Sequence, residues 1–160
     1  MRYVPNALAQ APGSAEAWGR NSEGELGDGT TTNSFTPVAV TGLSNVTAIA
    51  GGNLHSLALL GDGTVMAWGY NGNGQLGDGT TTDRLTPVAV TGLSNVTAIA
   101  GGNQYSLALL GDGTVMAWGY NGEGELGDCT TDTRLTPVAV TGLSNVTAVA
   151  GGGFHNLAGF

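Results

Sequence analysis

The stretch Ala67-Trp68-Gly69-Tyr70-Asn71-Gly72-Asn73-Gly74-Gln75-Leu76-Gly77-Asp78 decides the reading of this chain, because it returns 50 residues later at 117–128 with only Asn73 and Gln75 changed, to Glu123 and Glu125. Outward from it the period holds. Trp18, Trp68 and Trp118 stand 50 apart, and so do Asp28, Asp78 and Asp128, and Pro37, Pro87 and Pro137. Residues 36–53 recur letter for letter at 86–103, and 56–72 recur at 106–122. A fixed period of this length is the mark of a repeat architecture in which each unit buries its apolar face against the next.

Within one copy, four short β-rich runs are separated by turn residues: 86–90, 96–100, 105–110 and 114–119. Gly111-Asp112-Gly113 between the last two is a hairpin signal, since glycine and aspartate tolerate positive φ. No 3.6-residue apolar period competes with this pattern. Four strands in a repeat of about 40–50 residues describe one blade of a β-propeller. The expected class is therefore all-β, with blades of four antiparallel strands and three blades' worth per chain.

Composition agrees with a folded chain and limits its chemistry. Apolar residues make up 41 % and charged residues 10 %, with 29 glycines and no lysine. Val, Ile, Thr and Trp recur at fixed places, unlike the β-branched-poor, aromatic-poor composition of disordered chains. The formal net charge is -8, set by 12 acids against Arg2, Arg20, Arg84 and Arg134. Four scattered arginines cannot form the basic stripe that nucleic-acid binding needs, so no nucleic-acid partner is expected. No apolar run has the roughly 20 residues of a membrane-spanning helix, and no membrane partner is expected either. Cys129 is the only cysteine, which rules out an intrachain disulfide. The stretch Ala-Leu-Ala-Gln-Ala in residues 1–11 resembles the end of a secretory signal without the charged and apolar regions before it, leaving extracellular and cytoplasmic locations both open.

The motif at 67–78 and 117–128, the Thr-Pro-Val of 86–88 and the Gly-x-x-His-Ser-Leu-Ala-Leu of 52–59 resemble the hallmarks of regulator-of-chromosome-condensation repeats. The resemblance runs from Trp18 to Leu157. It implies a propeller, usually of about seven blades. It also implies a surface-contact role, since the family includes a nuclear exchange factor for a small GTPase and a secreted bacterial inhibitor of β-lactamase. The acidic, Gly-, Thr- and Asn-rich composition is closer to the bacterial side.

Strand counting raises a closure problem. Reading 36–40, 46–50, 55–60 and 64–69 as one blade puts a flexible leader at 1–13, blade one within 20–69 and blade two within 70–119. Blade three, 120–160, then lacks its fourth strand, and an orphan equivalent of that strand stands at 14–19 with Trp18 in register. Propellers start at about four blades, so a three-blade arc exposes apolar faces and open strand edges. The expected remedy is a homo-oligomer, in the simplest case a six-bladed two-fold dimer closed by exchange of the N-terminal strand. Trp18, Trp68 and Trp118 are the residues expected to carry that assembly.

No cofactor or metal is called for. The Gly-rich loop 71–79 lacks the Lys and following helix of a phosphate loop, and Asp28, Asp78 and Asp128 read as turn residues. Positions that differ between copies suggest a binding face built from Phe35, His55, Tyr70, Arg84, Tyr105, Tyr120, Arg134, Phe154 and His155, residue types common in protein-binding hot spots. The leading reading is a non-enzymatic scaffold or protein-interaction module. The alternatives are a hydrolase using the Asp28/Asp78/Asp128 set, His55, His155 and Cys129, or an engineered or fragmentary repeat module without a function beyond assembly.

Overall fold

A computed structural model describes residues 13–160; the expected leader lies outside these apart from Gly13. Twelve strands make up all the regular structure of the described residues: β1 (Glu16–Gly19), β2 (Ser34–Ala39), β3 (Val46–Gly51), β4 (His55–Leu60), β5 (Val65–Gly69), β6 (Arg84–Ala89), β7 (Val96–Gly101), β8 (Tyr105–Leu110), β9 (Val115–Gly119), β10 (Arg134–Ala139), β11 (Ala148–Gly151) and β12 (Asn156–Gly159). They form two complete antiparallel sheets, β3-β4-β5-β6 and β7-β8-β9-β10, and two half-sheets, β1-β2 and β11-β12.

The hairpins form where the Gly-Asp-Gly turns predict them. Between β4 and β5, Gly63 takes φ 79° and the Asp62 carboxylate accepts both the amide (3.0 Å) and the hydroxyl (2.6 Å) of Thr64. The strands this hairpin joins lie mid-blade, with a sheet packed on either face, so Leu57, Ala58 and Leu59 are all buried. The innermost strands β3, β7 and β11 approach so closely that a Cβ on Gly101 would stand 2.8 Å from the Gly51 carbonyl oxygen. Only glycine fits there.

The grouping of strands into blades differs from the sequence expectation. The Thr-Pro-Val strand of each repeat pairs with the Trp strand of the repeat before it: β6 with β5, β10 with β9, and β2 with β1. The complete sheets thus span 46–89 and 96–139, not 20–69 and 70–119. The short Thr-Gly-Leu-Ser-Asn segment after each Thr-Pro-Val strand crosses to the next sheet, while the long loop 70–83 stays within one. Consequently the last sheet holds two strands rather than three, and the N-terminal segment holds two rather than one.

Three apolar clusters fill the spaces between sheets. Leu57, Val65, Leu76, Val90, Ala108 and Trp118 lie between the two complete sheets. Tyr105, Leu107, Leu126 and Val146 join the second sheet to β11-β12. Ala15, Val40, Ala58 and Trp68 join β1-β2 to the first sheet.

Candidate functional site

The long loop of each repeat is organised by one buried asparagine that sequence reasoning passed over. Asn71 Nδ2 donates to Asp78 Oδ1, to the carbonyls of Thr80 and Thr82 and to the Thr80 hydroxyl, while its Oδ1 accepts from Leu76 N–H. Asn21 and Asn121 repeat the pattern, and all three are fully buried. Their strict recurrence beside Gly, inside a stretch otherwise read as a turn, was the available signal.

The recurring aspartates belong to this network. Burial works against the charge on Asp78, yet the Thr80 hydroxyl and the Arg84 guanidinium outweigh it and hold its carboxyl below the usual range. In the third copy the Thr130 hydroxyl, opposed by burial and helped by Arg134, lowers Asp128 to about 2. Arg84 meets Asp78 at 2.8 Å and Arg134 meets Asp128 at 2.8 Å. Both arginines, expected on a binding face, are therefore loop ties with part of the side chain exposed. Asp28 has no arginine, because Ser34 stands at that place; burial opposes its charge and hydrogen bonds from Thr30 and Asn21 still lower it.

Each loop also latches the next sheet. The Gln75 carbonyl accepts the Trp118 indole N–H (2.9 Å) and the Ser106 hydroxyl (2.8 Å). The Glu25 carbonyl does the same for Trp68 and Ser56, both at 2.8 Å. Gly27 and Gly77 are held against these indoles, where an added Cβ would stand 2.7 Å from Nε1 of Trp68 and Trp118 respectively. Leu85 and Leu135 cover Gly24 and Gly74, and their carbonyls accept Gly29 N–H (2.9 Å) and Gly79 N–H (3.0 Å).

His55 and Tyr105 leave the expected binding face, because the structure buries both between sheets. The Ser106 hydroxyl proton is committed to Gln75 O, so His55 donates from Nε2 to Ser106 Oγ at 2.9 Å. Burial lowers the His55 pKa to about 4. The Tyr105 hydroxyl lies 3.0 Å from Gly152 O and 2.9 Å from His155 O, and burial raises its pKa. Tyr70 and Tyr120 are half-buried, their rings folded over Gly72 and Gly122. Phe35, Phe154 and His155 are exposed. Among the described residues no three His, Cys, Asp or Glu side chains converge as a metal site requires. Cys129 is exposed at φ 65°.

The largest exposed apolar side chains gather at the two half-sheets and at β3 beside the first of them. Trp18 is 66 % exposed against 3 % for Trp68 and 0 % for Trp118. Phe35, Ile49, Phe154, Leu157 and Phe160 are likewise exposed. A cleft of about 430 Å³ opens at the β11-β12 end, lined by Gly127, Val140, Glu125 and Asn156 among others. A second, of about 350 Å³, opens at the β1-β2 end between Ala17, Ile49, Ser56 and Trp68.

The model of the regulator of chromosome condensation (RCC1) repeat matches residues 13–59, 62–109 and 112–158, and a second model of the same description matches 46–75 and 96–125. The chain belongs to this repeat family. Solved structures similar to it include Prp20p of Saccharomyces cerevisiae, studied with its binding to Gsp1p and histones, at 20 % identity over 91 % of this chain and 39 % of that one, TM-score 0.81. Human WBSCR16 is similar at 26 % identity over 93 % of this chain and 40 % of that one, TM-score 0.82. Yeast RCC1 (Prp20) bound to Kap60 is similar at 26 % identity over 91 % and 37 %, TM-score 0.76. The chain thus spans about two-fifths of each of these proteins. A search of curated proteins gives no match. The β-propeller fold of the repeat family and the four-stranded sheets of the structure agree. No helix of the described residues is long and apolar enough to cross a membrane.

Proposed function

We propose that this chain is a non-enzymatic protein-interaction module whose first partner is a second copy of itself. Each copy lends its outer half-sheet β1-β2 to the inner half-sheet β11-β12 of the other, giving blades at 46–89 and 96–139 and a third blade shared between chains. The observation that carries this reading is the complementarity of the two half-sheets. One holds the strands equivalent to β5 and β6, the other those equivalent to β3 and β4. Together they make one blade of the kind the chain builds twice by itself. Two copies then close a six-bladed ring, and a two-fold dimer is the commonest symmetric assembly.

The faces of that ring, where Tyr70, Tyr120 and Phe154 lie near loops and strand starts, are the surface for other proteins. Prp20p with Gsp1p and histones, and yeast RCC1 with Kap60, are family precedents for protein partners.

Light scattering on the purified 160-residue chain tests the self-assembly. The expected mass is twice the 15.9 kDa of one chain. A single species of 15.9 kDa at all concentrations overturns it.

A further inference from the structure

We infer that the 430 Å³ cleft at the β11-β12 end is a receptor for one side chain, Trp18 of a second copy, and that the Glu125 carbonyl is its hydrogen-bond acceptor. The inference rests on the half-sheet exchange proposed above and assigns the residues that recognise the incoming strand.

The cleft has the parts of an indole site that the chain fills twice elsewhere. At the first junction the Trp68 indole lies against Gly27 and Val40 and donates to Glu25 O; at the second the Trp118 indole lies against Gly77 and Val90 and donates to Gln75 O. At the third, Gly127, Val140 and Glu125 line the cleft. An added Cβ on Gly127 would meet only Val140, with no indole near. Gly27 and Gly77 are buried, whereas Gly127 is exposed. The Glu125 carbonyl already accepts Asn156 Nδ2 at 2.5 Å, as Glu25 and Gln75 accept Ser56 and Ser106. Its second lone pair is the one that takes an indole N–H in the other copies.

Strand register places Trp18 at this spot. In the first complete sheet Ser56 lies opposite Trp68 and Leu57 opposite Ala67. The same register between β12 of one chain and β1 of another sets Asn156 opposite Trp18 and Leu157 opposite Ala17. Leu157 then leaves solvent for the second copy's 350 Å³ cleft, beside Ile49 and Ala17. His155 comes level with Ser56 of that copy, repeating the His55–Ser106 hydrogen bond.

A second contact follows independently from the outer strand. Leu85 covers Gly24 and Leu135 covers Gly74, yet nothing lies within 4 Å of a Cβ placed on Gly124. The residue equivalent to Leu85 and Leu135 is Phe35, which is 99 % exposed. In the exchanged blade Phe35 covers Gly124 and its carbonyl accepts the Cys129 N–H, as Leu85 O accepts from Gly29 and Leu135 O from Gly79.

Sedimentation equilibrium of the full chain tests the assignment through two exposed positions. Trp18→Ala is expected to weaken association by at least about 100-fold, and Trp18→Phe, which keeps an aromatic ring but no N–H donor, by about 10-fold. Phe35→Asp is expected to weaken it by about 10-fold or more through loss of the Gly124 contact. Circular dichroism of dilute samples should match the parent chain in every case. An oligomer whose dissociation constant is unmoved by both Trp18→Ala and Phe35→Asp overturns the receptor assignment while leaving self-assembly intact. A parent chain that never associates overturns both.

Discussion

Two junctions of this chain carry nearly the same residues and end in opposite states. At the closed one, Leu135 covers Gly74, Trp118 lies on Gly77, and the Gln75 carbonyl holds both Trp118 and Ser106. At the open one, Gly124, Gly127 and Glu125 repeat the acceptor side and Asn156 donates in the place of Ser106, while Trp18 and Phe35, the equivalents of Trp118 and Leu135, are exposed on β1 and β2. A glycine at 127, with φ 60°, leaves room for an indole that its own chain does not bring there. The difference teaches that the repeat encodes a junction rather than a blade. Each copy holds one half of two neighbouring junctions.

The largest effect that would break this comparison is removal of the buried indole. Trp118→Ala should cost about 4 kcal/mol of folding free energy in urea unfolding. Trp18→Ala, measured at concentrations where the chain is unassociated, should cost under about 0.5 kcal/mol because that indole is already in water. Equal losses at the two positions would show that they do not differ as described.

Acid sharpens the comparison through His55. His55 is buried neutral, with its pKa lowered from 6.5 to about 4 by desolvation, and its Nδ1 has no hydrogen-bond partner. A folded-state pKa below the unfolded one means the unfolded chain takes up the proton first. Stability should therefore fall as pH drops from about 6.5 and level off near pH 4, by roughly 3 kcal/mol in all. His55→Tyr, which installs the residue found at 105, should remove most of that slope in urea midpoints taken across this pH range. A slope unchanged by His55→Tyr would place the acid sensitivity elsewhere.

The smallest effect separates the third loop from its siblings. Cys129 adopts φ 65°, where Gly29 and Gly79 stand at φ 86° and 82°. A side chain in the left-handed region is strained, so Cys129→Gly should stabilise the chain by about 1 kcal/mol, read as a rise in the urea midpoint. Loss of stability would mean that the thiol makes a contact worth more than the strain.

Much of the fold was legible in the sequence because its signals are local. The Gly-Asp-Gly turns mark the β4-β5 and β8-β9 hairpins, and the 50-residue period sets their register. What escaped was which strands share a sheet. A short connection ordinarily joins neighbours in one sheet, but here Thr91 to Asn95 crosses between sheets while the long loop 70–83 returns to the same one. The loop affords that return because Asn71 ties it from within, through hydrogen bonds that no spacing rule reveals. Variation between copies was also an unreliable guide to exposure. His55 and Tyr105 differ because each fits a different neighbouring sheet, and both are buried. Trp18 and Phe35 were visible in the sequence as members of their sets, whereas their exposure, and the uncovered Gly124 and Gly127, belong to packing that no spacing rule reveals.

Amide and indole hydrogen exchange on ¹⁵N-labelled chain tests the central claim most directly. In the assembled state the indole N–H groups of Trp18, Trp68 and Trp118 should all be protected, Trp18 losing protection on dilution while the other two keep it. A Trp18 indole that exchanges at the rate of a free indole in a stable oligomer, beside two protected ones, would contradict the account.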